Sequence, residues 1–304
     1  MKHVQLIILL LAAGLTACSS DDGTETPPAP HRMTVEVTEN PFIDSETGSR
    51  IVLSPLRKAE ATTTSTLDKF RMRNAVDNTD EYQFKKTNGK WENMSTYDHW
   101  PYSINDDTSI DFYAYTYNEG GVTFDNNGGT PRISFTVIEE ASQQHDLLVA
   151  HTRTYYNAAD GKVSLTFDHA CAAVQFNVQI TNTLTGGSYL NAPSLTVNSI
   201  TLKNVIKEGD YSYSTNSWTL GNVTTDYTLT DASLTVTTTP QQLPCKYLFM
   251  IPQTRVADGT TGTYLEVKYT TSSQKTAYIP LSIDWKAGIE YTINIKLGTT
   301  TIQR

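Results

Sequence analysis

Val163-Ser164-Leu165-Thr166-Phe167-Asp168-His169-Ala170-Cys171-Ala172-Ala173-Val174-Gln175-Phe176-Asn177-Val178-Gln179-Ile180 carries the fold in its spacing. Apolar side chains stand at odd positions 163, 165 and 167, then at even positions 174, 176, 178 and 180. A period of two marks a strand with one face buried. Parity cannot change within a regular strand, because a one-residue slip turns every side chain to the other face. The small residues Ala170, Cys171, Ala172 and Ala173 occupy the change, so the spacing predicts a β-bulge or strand kink there.

The same rhythm recurs on both sides. Met33, Val35 and Val37 alternate with Thr34 and Glu36, and Asn40-Pro41 closes that run. Ile51-Val52-Leu53 is a short apolar piece ended by Pro55. Phe70 and Met72 alternate with Arg71 and Arg73; Tyr82-Gln83-Phe84 leads to Asn88-Gly89, a hairpin signal, and on to Trp91. Ile110, Phe112 and Ala114 share one face of a strand and Tyr113, Tyr115 and Tyr117 the other. Ile133, Phe135 and Val137 alternate again, and further strands are expected at 199–205, 233–238, 247–251, 264–270, 277–285 and 290–297. Beyond the first residues no stretch of a dozen keeps a helical 3.6 period. The predicted class is all-β, in two β-sandwich domains at 33–158 and 159–304, with the boundary in the turn region 156–162.

The N-terminus has a different character. Lys2 precedes an apolar run from 4 to 15, then Thr16-Ala17-Cys18 and Ser19-Ser20-Asp21-Asp22. The run is shorter than the ~20 apolar residues that span a bilayer and fits a signal-peptide core of about 7–15 residues. Small residues followed by Cys form the pattern of a bacterial lipoprotein signal, 1–17, with cleavage between Ala17 and Cys18. The Cys18 thiol would then carry the lipid, palmitate among its acyl chains, and anchor an otherwise soluble chain. Residues 18–32, with Pro27, Pro28 and Pro30, are expected to form a disordered tether.

The chain holds 23 Lys+Arg against 32 Asp+Glu, a net charge of −9, and loss of Lys2 with the signal takes it to about −10. Such a chain repels nucleic acid and anionic lipid, so no nucleic-acid partner is expected. No two of the six histidines stand at metal-ligand spacing, and there is no Cys-x-x-Cys. Neither a nucleophile elbow nor a phosphate loop is present, and the acidic stretches 77–81, Asp106-Asp107 with Asp111, and Asp125-Asn126-Asn127 do not match a calcium loop. The expectation is no enzyme, no metal and no cofactor. His169 follows Asp168, but consecutive strand residues face opposite ways, so a structural role is favoured. Cys171 and Cys245 are candidates for a disulfide in an exported chain, with buried free thiols as the alternative. The tyrosine face offers a surface for glycan or protein, although strand propensity accounts for it as well.

The chain resembles the bacterial fimbrillin family, the lipoprotein-precursor subunits of the type V pili of Bacteroidetes. The resemblance lies in Trp100-Pro101, Ile110-Asp111-Phe112-Tyr113-Ala114-Tyr115, Asp146-Leu147-Leu148-Val149-Ala150 and Val163-Ser164-Leu165-Thr166-Phe167-Asp168-His169-Ala170. It continues through Tyr247-Leu248-Phe249-Met250-Ile251-Pro252-Gln253 and Trp285-Lys286-Ala287-Gly288-Ile289-Glu290-Tyr291. It implies two tandem transthyretin-like β-sandwich domains, and an outer-membrane lipoprotein displayed at the surface, with Asp21-Asp22 similar to a surface-export signal. It implies trimming by an Arg-specific maturation protease, and other pilus subunits as partners by β-strand addition. A host or bacterial surface receptor would serve cell adhesion.

Within that reading the candidate removed strand is Met33, Val35 and Val37, or Ile51 to Leu53, or both, and the candidate cuts follow Arg57 or Arg50. Arg57 stands before a mobile Ala/Thr/Ser stretch, which suits a protease, although Pro55-Leu56-Arg57-Lys58 departs from the Thr-Arg-Ala of the family. Shaft subunits carry an extended C-terminal donor segment, whereas 298–304 holds a single apolar residue, Ile302. The resemblance therefore implies a chain that accepts a strand and donates poorly, as a tip or accessory subunit does. The competing reading is a surface lipoprotein that binds glycan or a protein partner and never polymerises.

Overall fold

The computed structural model describes residues 33–40, 43–44, 67–76, 81–97, 99–101, 108–116, 121–126, 129–155, 161–181, 194–245, 247–257, 262–270 and 273–298. All belong to one unit, 31–304. In chain order the strands are β1 (Thr34–Glu39), β2 (Ile43–Asp44), β3 (Lys69–Asn74), β4 (Glu81–Thr87), β5 (Lys90–Asn93), β6 (Ser109–Tyr115), β7 (Val122–Asp125) and β8 (Arg132–Thr136). Next come β9 (Leu148–Tyr155), β10 (Lys162–His169), β11 (Ala172–Thr181), β12 (Leu195–Ile206), β13 (Glu208–Ser212), β14 (Ser217–Leu220), β15 (Thr224–Thr230) and β16 (Leu234–Val236). The last are β17 (Gln241–Gln242), β18 (Leu248–Met250), β19 (Thr254–Arg255), β20 (Tyr264–Thr270), β21 (Gln274–Pro280), β22 (Ile283–Asp284) and β23 (Ile289–Gly298). Among the described residues there is no α-helix, and the class is all-β as expected.

Four sheets make up most of the fold. The largest has seven strands in the order β1-β10-β9-β6-β3-β4-β5. A second is built around β11, with β17 and β18 on one side and β23 then β2 on the other; a third around β12 holds β15, β16, β20 and β21. The fourth runs β14-β13-β8-β7 and so joins strands from both halves of the chain. The Asn88-Gly89 turn links β4 to β5 with φ of 52° and 78°, the left-handed pair that a two-residue hairpin requires.

Two hydrophobic cores result. One collects Phe70, Phe84, Trp100, Ile110, Phe112, Val163, Leu165 and Phe167. The other collects Tyr115, Ile133, Val174, Phe176, Val178, Ile180, Tyr213 and Trp285. The seven-stranded sheet is a wall between them. Ala114, Leu148 and Ala150 face the first core, while Tyr115, Leu147 and Val149 face the second.

The parity change in 163–180 now has a cause. Odd residues of β10 face the first core, even residues of β11 face the second, and the chain leaves one sheet for the other between them. The expected bulge or kink is thus a change of sheet at Ala170–Cys171, downstream of the 158/159 division read from the sequence. The crossover is pinned by backbone and side-chain bonds. Ala170 N donates to Leu147 O at 2.8 Å, Gly288 N to Cys171 O at 2.9 Å, and Trp218 Nε1 to Ala170 O at 2.8 Å. Four small side chains let these donors approach.

Phe112 is fully buried and meets Trp100 edge-on at 5.3 Å. Phe112→Ala is expected to lower stability by about 3–5 kcal/mol in urea unfolding. Tyr155→Ser, at a side chain 51 % exposed, should change it by no more than about 0.5 kcal/mol.

Candidate functional site

The N-terminal segment lies on the edges of two sheets. β1 pairs in parallel with β10, from Thr34 opposite Lys162 to Glu39 opposite Phe167. β2 pairs in parallel with β23, Ile43 opposite Ile289 and Asp44 opposite Glu290. Dependence is greatest at β10. β1 is in register with β10 all along 162–167, and the other neighbour, β9, sets Val149 opposite Asp168 and Leu148 opposite His169. Buried backbone groups left without such partners are costly, which makes this edge a receptive one.

The alternation read in the sequence sets how β1 sits. Met33 is 3 % exposed, and Val35 and Val37 pack half-buried on the first core, above a cluster in which Phe70 meets Phe84, Trp91 and Phe167 at ring distances of 5.0–5.1 Å. At the start of the strand Gly161 O accepts from both Thr34 N at 3.0 Å and Trp100 Nε1 at 3.2 Å. The outward side chains form a polar rail. Lys162 Nζ donates to Glu36 Oε2 at 2.6 Å, Thr38 Oγ1 lies 3.0 Å from Thr166 Oγ1, and Asn40 Nδ2 donates to Asp168 Oδ1 at 2.7 Å. The hydrogen bond and charge of Lys162 hold the Glu36 carboxyl below its usual value.

The far end of β1 is ionic. Glu39, inward like Met33, Val35 and Val37, brings Oε1 to 3.7 Å from His169 Nε2. His169 Nδ1 closely contacts Asp146 Oδ2. Their side chains are 8 % and 6 % exposed. Burial pushes the Asp146 carboxyl above its ordinary value, opposed by the His169 hydrogen bond and charge. His169 contacts Asp146 rather than Asp168, which holds Asn40 instead. Asp146 is the residue that sequence reasoning missed. Its only local signal is a carboxylate directly before the apolar run 147–150.

The other sequence candidates divide plainly. Ala17, Cys18, Arg50, Ile51, Leu53 and Arg57 lie outside the described residues. Of the two readings of Cys171 and Cys245, a disulfide or free thiols, the structure has both as free thiols. Cys171 is buried against Asp146, and burial pushes its thiol well up; the Cys245 thiol is pushed up to about 11, again by burial. The tyrosines of β6 are packed rather than arrayed on a free surface. Tyr115 is buried and stacked on Phe124 at 5.7 Å, Tyr113 is stacked on His151 at 4.8 Å and beside Tyr213, and Tyr117 lies outside the described residues. Among the described residues no group of three His, Cys, Asp or Glu could hold a metal.

Two outcomes follow. Val37→Asp sets a carboxylate over the aromatic cluster and should weaken the seating of β1 by about 1–3 kcal/mol, read as faster protease clipping within 33–44. In the native chain Cys171 and Cys245 should resist alkylation at about pH 8, and both should react once unfolded.

Comparison with known proteins agrees with this architecture. A profile of the fimbrillin-like family matches residues 37–304. A fimbrial protein from Bacteroides vulgatus is similar in structure, with a TM-score of 0.55 and 17 % identity, over 88 % of this chain and 95 % of that one. Candidate cell adhesion proteins from Bacteroides uniformis and Bacteroides ovatus each have a TM-score of 0.51 and 16 % identity. The first covers 76 % of this chain and 87 % of its own, the second 88 % and 92 %. No curated protein matches. With the profile spanning residues 37–304, the protein belongs to the fimbrillin-like family, with the structural, non-enzymatic role that membership carries.

Proposed function

We propose that the chain is a fimbrial subunit made as an outer-membrane lipoprotein through Cys18 and assembled by strand addition after an Arg-specific cut. One observation carries the reading. The N-terminal segment is an edge strand that supplies the ladder of 162–167 and inserts Met33, Val35 and Val37 into an aromatic groove. A strand in that position blocks the edge in its own molecule, and its loss leaves both backbone groups and apolar surface ready for another subunit's strand.

The direction of the segment supports the same reading. β1 and β2 follow each other along the edges of two sheets, and both candidate cuts, after Arg50 and after Arg57, lie downstream of them. One cleavage would therefore release lipid, tether and both edge strands together. The two cores fit a tandem pair of transthyretin-like sandwiches.

N-terminal sequencing of protein sheared from the native cell surface tests this. Cleavage gives a start at Lys58 or Ile51. A lipid-blocked Cys18 in the assembled fraction would overturn it.

A further inference from the structure

Three of the four inward side chains of the first strand are apolar, and the fourth is an acid. An acid at an inward position is costly unless it is paired, and Glu39, at 17 % side-chain exposure, has His169 as its ionic partner at 3.7 Å. On the other side of the imidazole stands Asp146. The groove that β1 occupies therefore ends in an imidazole held between two carboxylates, one from the body and one from the strand.

A neutral imidazole has a single N–H and can serve only one carboxylate; imidazolium donates from both nitrogens. With Nδ1 committed to Asp146, a strand carboxylate at Nε2 is matched only when the ring holds its second proton. An amide there would need no proton, an apolar side chain would cover the polar pair without answering it, and an ammonium would oppose the charged ring. Beside this pair Cys171 is bonded to Asp146, while Asp168, on the opposite face of β10, holds Asn40.

We infer that the edge vacated by β1 selects its incoming strand by charge. The occupant is an extended segment running parallel to β10, with three alternating apolar side chains and then a carboxylate that meets His169. This rests on the strand-addition reading above. It adds the partner's chemistry: apolar, any, apolar, any, apolar, any, acidic, as in Met33-Thr34-Val35-Glu36-Val37-Thr38-Glu39.

The test uses the full chain with a protease site placed within 45–66, so that after nicking the first strand is held without a covalent link. A labelled fragment is displaced by peptides spanning 31–46, either native or carrying Glu39→Gln. The native peptide should bind about tenfold tighter than the Gln peptide, equivalent to ~1.4 kcal/mol. The advantage should vanish in a His169→Gln body that still binds the Gln peptide normally. Equal binding of the two peptides, or an advantage that survives His169→Gln, would overturn the inference. A stripped body that accepts neither peptide contradicts strand addition itself, which is a different failure.

Discussion

The parallel ladder between β1 and β10 joins residues about 127 positions apart. It runs along the whole of 162–167. β10 in turn contributes Val163, Leu165 and Phe167 to the first core and leads directly into the crossover to the second. The order of the fold thus depends on a strand that belongs to the N-terminal segment and sits at an edge. An edge strand gains its hold from one side only. Here the polar rail of Lys162, Thr166 and Asp168 and the aromatic floor of Phe70, Phe84 and Trp91 provide the rest.

The central strands show why so much structure rests on one sheet. Where β6 meets the start of β9 the sheet is covered on both faces, with Ile110, Phe112 and Ala114 turned to one core and Tyr115, Leu147 and Val149 to the other. Tyr213 reaches across to donate its hydroxyl to Ala114 O at 2.8 Å, so even the aromatic layer is tied to the backbone of the wall. A sheet packed on both sides is hard to deform. That rigidity would hold the edge in shape during the strand exchange we propose.

Period-two patterning made the class and most strands legible, because it reports which side chains share a face. The Asn88-Gly89 hairpin was legible for a local reason: its left-handed φ values need those residue types. The same pattern cannot report what covers a face, which is why Tyr113 and Tyr115 read as a surface although a second core lies behind them. It located the parity change at 170–173 but not its cause, because a bulge and a change of sheet disturb the period alike. Nor could spacing pair His169 with Asp146 rather than with its neighbour Asp168, since that contact follows from the register of β10 on β9. The parallel seating of β1 was similarly out of reach, because local sequence holds no mark of a partner so distant.

The central claim is that β1 serves as an exchangeable filler of the β10 edge. Amide hydrogen exchange of Val163, Leu165 and Phe167, the residues of β10 whose backbone groups face β1, measured on the full chain before and after Arg-specific release of the N-terminal segment, tests it most directly. The account predicts strong protection before release, a loss of about a hundredfold or more after it, and recovery when an extended strand is supplied. Protection of these amides that is unchanged by release would contradict it.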